Sequence, residues 1–504
     1  MVERPKQLTF DTEKLMPVGV TSDRNQTRTQ TQVAKSMNRW PGQRATAYVT
    51  TAILIVTAVW IAFGHFQFGQ HADALVPVLM SLQHWTPYYW VADRDGMLVP
   101  LLAIPIRNPL TNMMVQSALG IFTCLAASFL LVRYFFDDSP IWFVAAALQN
   151  IWLLLLVTKV EQFEWFAYHP YGPSMALGFA ALVLLRKGRW RSGTLFMLLS
   201  YWVNVGVFLV LIPLVLWRHI ASKEKRGLWA ELGITVAGMV AGMLGKNLSG
   251  APKSSTAIRP IPTWPAGWLQ LFQNVWERVI VDSSVIWWMI IPAVVGIGAL
   301  LIKRSRKYPL SVAVGFALTG LASWLFVGTL AWVKFNLYTP RYVYSSLFLF
   351  ATAMAVAAVS PLQNAPPRLS RFAAIAAAVV LFVAAAFAYG VPSRGRVQRD
   401  IDQKFGALTA EILDSHATVV AGNYWTVWPA VFDADLMLYR RKEHREVYGL
   451  TFRADPSFLN WALQRSVCAA VPLGDPEAAS WMTNSPRHFT YVRRLKTIDL
   501  YCEP

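Results

Sequence analysis

The stretch RKGRWRSGTLFMLLSYWVNVGVFLVLIPLVLWRHIASKEKR, residues 186–226, sets one apolar segment between two clusters of Lys and Arg. The apolar segment, Thr194–Trp217, is long enough for a single crossing of ~30 Å of hydrocarbon. A single crossing would leave one basic cluster outside the cell, whereas Lys and Arg concentrate in cytoplasmic loops. We therefore predict a re-entrant pair of half-length helices that bends near residues 202–206. Irregular backbone at membrane depth lines a cavity or is buried in protein, so the bend also predicts a cavity.

The composition excludes an ordinary soluble protein. The chain has 504 residues, of which 55% are hydrophobic and 15% charged, and its mean hydropathy is +0.38. Its net charge of +18 is explained by basic residues in short cytoplasmic loops rather than by nucleic acid, for which the sequence carries no motif. The 22 Trp and 17 Tyr residues fit aromatic belts at the two membrane interfaces.

Apolar runs recur along the chain, and together they predict a polytopic membrane protein. They lie at residues 47–66, 110–132, 141–158, 174–185, 194–217, 228–245, 285–302, 310–333, 343–359 and 372–390. With the bent pair counted as two, we predict about eleven membrane segments. They form an all-α membrane domain over residues 47–390, preceded by a disordered cytoplasmic tail, residues 1–46.

The alternation of the spans places residues 391–504 outside the cytoplasm, as a small α/β domain. We expect its strands at 417–421, 446–452 and 489–492, and a helix at 426–439. In the first outer loop, leucine and valine recur at helical spacing from Leu75 to Leu82. That spacing predicts an amphipathic helix along the membrane surface.

The three cysteines divide between the two parts of the chain. Cys124 lies in a predicted span, where a small apolar residue is the ordinary explanation. Cys468 and Cys502 both lie in the predicted outer domain. In an oxidising compartment they are expected to form a disulfide that holds the C-terminal segment.

Four acids stand near predicted membrane boundaries, where a charge costs free energy. Asp73 begins the predicted surface helix and Asp95 follows in the same loop. Glu161 and Glu164 come after the third span, spaced to share one helix face. A helix-end acid or a polar turn would explain each of them without chemistry. As a group they could instead accept a proton from a hydroxyl, hold a metal ion or orient an acceptor.

Arg341 is the most specific single candidate. It follows Pro340 at the outer start of a predicted span, in the stretch NLYTPRY, residues 336–342. An isolated Arg there could simply extend to the interface. A guanidinium at a helix N-terminus, however, is well suited to grip a phosphate with two parallel hydrogen bonds.

These features resemble the GT-C superfamily of membrane glycosyltransferases, which use polyprenyl-phosphate sugars. The shared features are the acids of the first two outer loops, the mid-chain hairpin, the Pro-Arg-Tyr before a late span and the outer C-terminal α/β domain. The resemblance implies that a first-loop acid is the catalytic base and that Arg341 binds the lipid phosphate. Ala74 follows Asp73 where family members often have a second acid, so the base stays open between Asp73 and Asp95.

The resemblance also implies a reaction and a setting. A sugar would pass with inversion from the lipid phosphate to a glycan, lipid or protein acceptor of the envelope. The chain would lie in the inner membrane, with its N-terminus cytoplasmic and its C-terminal domain periplasmic. Further phosphate contacts fall to Lys246 and Arg259. The candidate substrate contacts are Arg94, Glu161, Glu164, His169 and Tyr171.

The sequence leaves the cofactor open, and it leaves two other functions open: transport, and an inactive scaffold of an envelope-assembly complex. It identifies no cofactor, although a divalent metal ion is one that the acids could bind. A transporter or lipid flippase is the rival interpretation, because transporters place broken helices near the membrane midplane. No repeat relates the two halves of the chain, and transport does not need an outer domain of this size.

Overall fold

The computed structural model describes residues 40–66, 71–90, 95–136, 139–165, 170–221, 227–249, 257–280, 283–302, 307–451, 456–475, 478, 482, 487 and 489–504. The predicted disordered tail therefore lies mostly outside the described residues. By its internal contacts the chain divides into two units, Met1–Tyr48 and Val49–Pro504. The membrane helices beyond residue 48 and the C-terminal sheet all belong to the second unit.

From residue 40 to residue 389 the described part of the chain is mainly helical. In chain order they are α1 (Trp40–Phe66), α2 (Ala72–Leu82), α3 (Leu98–Ala103), α4 (Pro109–Phe136), α5 (Pro140–Leu156), α6 (Lys159–Phe163), α7 (Tyr171–Arg186), α8 (Trp190–Val203), α9 (Phe208–Ala221), α10 (Leu228–Leu248), α11 (Trp264–Arg278), α12 (Ser283–Ile302), α13 (Lys307–Gly328), α14 (Ala331–Phe335), α15 (Tyr344–Val359) and α16 (Pro367–Tyr389). Short 3₁₀ turns, among them Val205–Val207 and Pro340–Val343, connect several of them.

The chain is a membrane protein. Within the described residues, six helices are long and apolar enough to cross a membrane, or seven when the bent pair is counted as one span. Four more apolar helices of 10–17 residues are shorter than the ~20 residues of a straight crossing. The predicted count of about eleven segments stays a prediction.

The bend between α8 and α9 is confirmed at the predicted position. The two helices are inclined by 119° at a break that leaves only Asn204 outside regular structure. The side-chain oxygen of Asn204 accepts a hydrogen bond of 2.8 Å from the backbone N–H of Gly206, which caps the new turn. Each helix has 14 residues, so each is about 21 Å long and too short to cross alone.

Helix α2 is confirmed as a helix, but it does not have the one exposed polar face that an amphipathic surface helix would have. It packs between α4 and the C-terminal helix Tyr424–Arg441. Both of its sides are apolar: Leu75 and Leu79 are buried, and so are Val76 and Met80. A helix that is apolar on all sides is usually buried. The spacing of the leucines predicted only one apolar side, and the second side carries Val76 and Met80.

The C-terminal part is a mixed sheet flanked by helices. Its elements are α17 (Arg394–Asp414), β1 (Val419–Ala421), α18 (Tyr424–Arg441), β2 (Tyr448–Leu450), α19 (Pro456–Leu463), β3 (Cys468–Pro472), β4 (Thr490–Arg494) and β5 (Ile498–Cys502). The strand order is β2-β1-β3-β5-β4, with β1 parallel to both neighbours and β5 antiparallel to both of its own. The predicted strands β1, β2 and β4 and the helix α18 are confirmed, whereas β3 and β5 were not predicted.

The disulfide is confirmed. Cys468 and Cys502 stand directly opposite each other on β3 and β5, and their sulfur atoms are bonded. The bond closes a loop with a sequence separation of 34 residues. Cys124, by contrast, is a buried free thiol.

Candidate functional site

Arg341 lies in the 3₁₀ turn Pro340–Val343, which leads into α15. Its side chain is only 15% exposed, and its Nη1 atom is 3.7 Å from Oδ2 of Asp73. Its Nη2 atom donates a 3.2 Å hydrogen bond to the hydroxyl of Tyr342. Arg341 and Asp73 are distant in sequence but form an ion pair, so the structure brings the candidate phosphate ligand together with one of the two candidate bases.

Both carboxylate oxygens of Asp73 have partners. The hydroxyl of Tyr424, at the start of α18, donates a short hydrogen bond to Oδ1, and the hydroxyl of Tyr89 lies 3.0 Å from that of Tyr424. Burial raises the pKa of Tyr424 well above its ordinary value, so this phenol stays a hydrogen-bond donor. Nδ1 of His71 lies 3.7 Å from Oδ2 of Asp73. Asp73 is therefore held between Arg341 and the C-terminal domain.

Asp95 is placed by a loop that is bonded to the end of α8. The backbone N–H of Gly96 donates a 3.0 Å hydrogen bond to the carbonyl of Val203, and the N–H of Tyr89 donates one of 3.1 Å to the carbonyl of Asp95. A Cβ atom on residue 96 would lie 2.3 Å from the carbonyl oxygen of Trp202. Only glycine fits this close approach, and it brings Asp95 beside the bend of the helix pair.

A cavity of about 220 Å³ lies at this bend, as the sequence predicted. Its polar lining residues are Asp95, Tyr171, Ser174, Asn204, Lys246, Arg341, Tyr342 and Ser345. Two cations, Arg341 and Lys246, therefore share the cavity with one acid, Asp95. Trp332 and Tyr342 add aromatic wall. Two cations and one acid favour an anionic ligand. The carboxylate of Asp95 then lies in the same cavity as that ligand.

Glu161 and Glu164 do not line this cavity, but both interact electrostatically with Arg341, which does. Burial, and then the neighbouring Glu164, raise the pKa of Glu161 to about 8, against the opposing effect of Arg278 and Arg341. Burial also raises the pKa of Glu164, whose largest opposing influence is Arg341. Glu161 thus favours its neutral form near pH 7, which makes it a poor ligand for a metal ion.

The donor set does not fit a metal ion elsewhere in the described ranges either. No group of three or more His, Cys, Asp or Glu residues there has an arrangement that could hold one.

Arg259 is not among the residues that line the cavity. Its Nη2 atom donates a 2.7 Å hydrogen bond to the carbonyl of Gly328, and its guanidinium carbon lies 5.5 Å from the centre of the Tyr338 ring. Its backbone N–H bonds the carbonyl of Thr329 at 2.9 Å. These contacts join the loop before α11 to the end of α13. Arg94 and His169 lie outside the described residues.

Sequence reasoning missed Tyr424. It lies 351 positions from Asp73, and nothing in its local sequence marks it as a partner of an acid in the first outer loop. Tyr171, in contrast, was a candidate and lines the cavity with Arg341. The site is therefore built from the segment between α1 and α4, the bent helix pair, the end of α10 and the turn before α15, and its acid Asp73 is bonded by Tyr424 of the C-terminal part.

Comparisons with known proteins were made by family, by curated sequence and by solved structure. No family model matches the chain, and neither does any curated protein. Among solved structures it is similar to the archaeal oligosaccharyltransferase AglB from Archaeoglobus fulgidus, in complex with an inhibitory peptide and a dolichol-phosphate. The match covers 84% of this chain and 69% of that chain, at 11% sequence identity and a TM-score of 0.28. A TM-score this low establishes neither a shared fold nor a shared site, so a function for this chain has to be argued from its own residues.

Proposed function

We propose that this chain is a membrane glycosyltransferase that moves a sugar from a polyprenyl-phosphate donor to an envelope acceptor on the extracytoplasmic face. The observation that carries the proposal is the cavity at the helix bend, where Arg341 and Lys246 face the same space as Asp95. Transfer of a sugar away from a phosphate needs fixed cations for the leaving group and a carboxylate for the attacking hydroxyl.

The donor phosphate binds Arg341 and Lys246 in this proposal. A guanidinium keeps its charge when it is largely buried, and its planar fork matches two phosphate oxygens. Pro340 fixes the backbone immediately before Arg341, and Asp73 restrains the side chain through the 3.7 Å ion pair. A cavity of about 220 Å³ accommodates the polar head of the donor, while the prenyl chain stays among the membrane helices.

Asp95 is the proposed base. It lines the cavity together with Arg341 and Lys246, and Asp73 does not line it but is bonded by Tyr424 and paired with Arg341. In an in-line displacement the attacking oxygen and the leaving oxygen lie on opposite sides of the reacting carbon. A base paired directly to the residue that grips the leaving phosphate would stand on the wrong side. We therefore give Asp73 the task of holding Arg341.

The step is a direct displacement at the anomeric carbon. The acceptor hydroxyl gives its proton to Asp95 while its oxygen bonds the anomeric carbon. The bond between that carbon and the phosphate oxygen breaks, and the phosphate leaves with the electron pair. Arg341 and Lys246 stabilise the charge that develops on it. A single displacement inverts the configuration of the sugar.

The test is transfer of a labelled sugar by the purified full chain in nanodiscs, with a panel of polyprenyl-phosphate sugars and envelope acceptors. Asp95→Asn should lower turnover about a hundredfold or more, the scale of general-base assistance, with little change in donor binding. Asp400→Asn is the matched control, because Asp400 pairs with Lys404 in the C-terminal domain at 2.9 Å. Turnover lost in Asp73→Asn with donor binding intact would give the base to Asp73.

Transport of a lipid-linked substrate is the alternative function. The observation that favours it is the 119° bend of α8 and α9 at the cavity, since broken helices form the substrate sites of many transporters. Vesicles that contain the purified chain distinguish the two functions. Movement of a lipid-linked sugar across the bilayer without its release from phosphate would support transport and contradict the transferase.

A further inference from the structure

The turn before Arg341 has a costly backbone conformation. Leu337 and Tyr338 both have φ of +53°, in the left-handed region that residues with side chains rarely adopt. They end α14: the N–H of Leu337 bonds the carbonyl of Lys334 at 2.9 Å, and the N–H of Tyr338 bonds that of Val333 at 2.8 Å. Helices usually end this way on glycine. Two successive residues without glycine need support from outside the turn.

The side chain of Asn274 supplies hydrogen bonds to this turn from outside it. The amide of Asn274, on α11, donates hydrogen bonds to the carbonyls of Leu337 at 2.9 Å and Tyr338 at 3.0 Å. Asn274 is only 5% exposed, and its own side-chain oxygen accepts from Gln270 at 3.1 Å. Both amide protons are therefore used on the two left-handed residues. Arg341 follows three residues later.

We propose that Asn274 is a positioning residue for Arg341. By fixing the turn, it fixes where the 3₁₀ segment begins and so directs the guanidinium toward Asp73 and the cavity. The inference rests on the proposed role of Arg341 in binding the donor phosphate. It adds a residue of α11 that lines no part of the cavity and that no motif in the sequence marked.

The first test measures binding of undecaprenyl phosphate, with no sugar attached, to the full chain in nanodiscs. Asn274→Ala should weaken this affinity by about tenfold, the factor that corresponds to one buried hydrogen bond. In an Arg341→Ala background the same change should have no further effect, because nothing remains to be positioned. An equal loss in both backgrounds, or an unchanged affinity in Asn274→Ala alone, would overturn the inference.

Two further variants separate positioning from a general loss of stability. Trp268→Phe removes a 2.8 Å hydrogen bond that holds α11 to the carbonyl of Leu325 and should leave the affinity unchanged. Leu337→Gly should partly restore binding to Asn274→Ala, because glycine adopts positive φ at little cost. The Leu337 side chain is 74% exposed, so this change removes little packing.

A ligand-free measurement keeps the inference separate from the proposed function. Hydrogen exchange at the amides of residues 337–339 should be faster in Asn274→Ala than in wild type and unchanged in Trp268→Phe. If Arg341→Ala binds the lipid as well as wild type does, the proposed phosphate site is wrong. Faster exchange in Asn274→Ala would then still show that Asn274 holds the turn, whereas unchanged exchange would contradict it.

Discussion

Replacing Arg341 tests the phosphate site directly. A hydrogen bond to a charged group contributes ~1.5–3 kcal/mol, which corresponds to about ten- to a hundredfold in affinity. In Arg341→Ala, Asp73 loses the guanidinium that lies 3.7 Å from its Oδ2 atom. The carboxylate then repels the incoming phosphate, so we expect the loss to lie near the upper end of that range.

The assay is equilibrium binding of radiolabelled undecaprenyl phosphate to the full chain in nanodiscs, with the melting temperature measured in parallel. Arg341→Lys keeps the charge but loses the fork, so it should bind with intermediate affinity. Adding Asp73→Asn to Arg341→Ala should recover part of the affinity, because it removes the repulsion. An affinity for Arg341→Ala within twofold of wild type would refute this reasoning, and a loss in Lys246→Ala instead would place the phosphate at Lys246.

Three further predictions concern the C-terminal part. Tyr424→Phe removes the donor to Asp73, so it should lower the melting temperature and weaken lipid-phosphate binding less than Arg341→Ala does. Cys468→Ser should lower the free energy of unfolding by about 4 kcal/mol in the chain-entropy estimate for this loop; the same melting temperature with and without reductant in wild type would contradict it. Burial raises the pKa of Asp435 from 3.8 to about 8. Between those values the folded state holds a proton that the unfolded state has released, so stability should fall as pH rises. Melting curves from pH 5 to pH 8 should show a smaller fall in Asp435→Asn, and an equal fall would contradict the assignment.

The sequence predicted the features that depend on local pattern. Two basic clusters around one apolar segment were enough to predict the bend at Asn204 and a cavity beside it, because charge placement and chain length restrict the choices there. Short apolar stretches predicted the buried strand β1 and the strands β2 and β4. Strand β5 was missed because Ile498–Cys502 does not alternate regularly: Tyr501 is buried like its neighbour Leu500.

The rest depended on tertiary contacts. Helical spacing predicted α2, but its position between α4 and α18 depends on a surface that another part of the chain supplies. The residues Asp73 and Asp95 look alike in sequence. Their surroundings differ only in the folded chain. Tyr424 donates a hydrogen bond to Asp73, whereas the close approach of Gly96 to Trp202 places Asp95 beside the helix bend. Arg259 looked like a phosphate ligand, yet its guanidinium bonds a carbonyl at the end of α13.

The most direct test of the central claim is a cryo-electron microscopy structure of the full chain with a non-hydrolysable polyprenyl-phosphate sugar. We predict phosphate density inside the cavity at the α8–α9 bend, within ~2.7–2.9 Å of the Arg341 guanidinium, the range of charge-assisted hydrogen bonds. The sugar should lie between that phosphate and Asp95. Phosphate bound outside the cavity, with Arg341 still paired to Asp73 alone, would contradict the account.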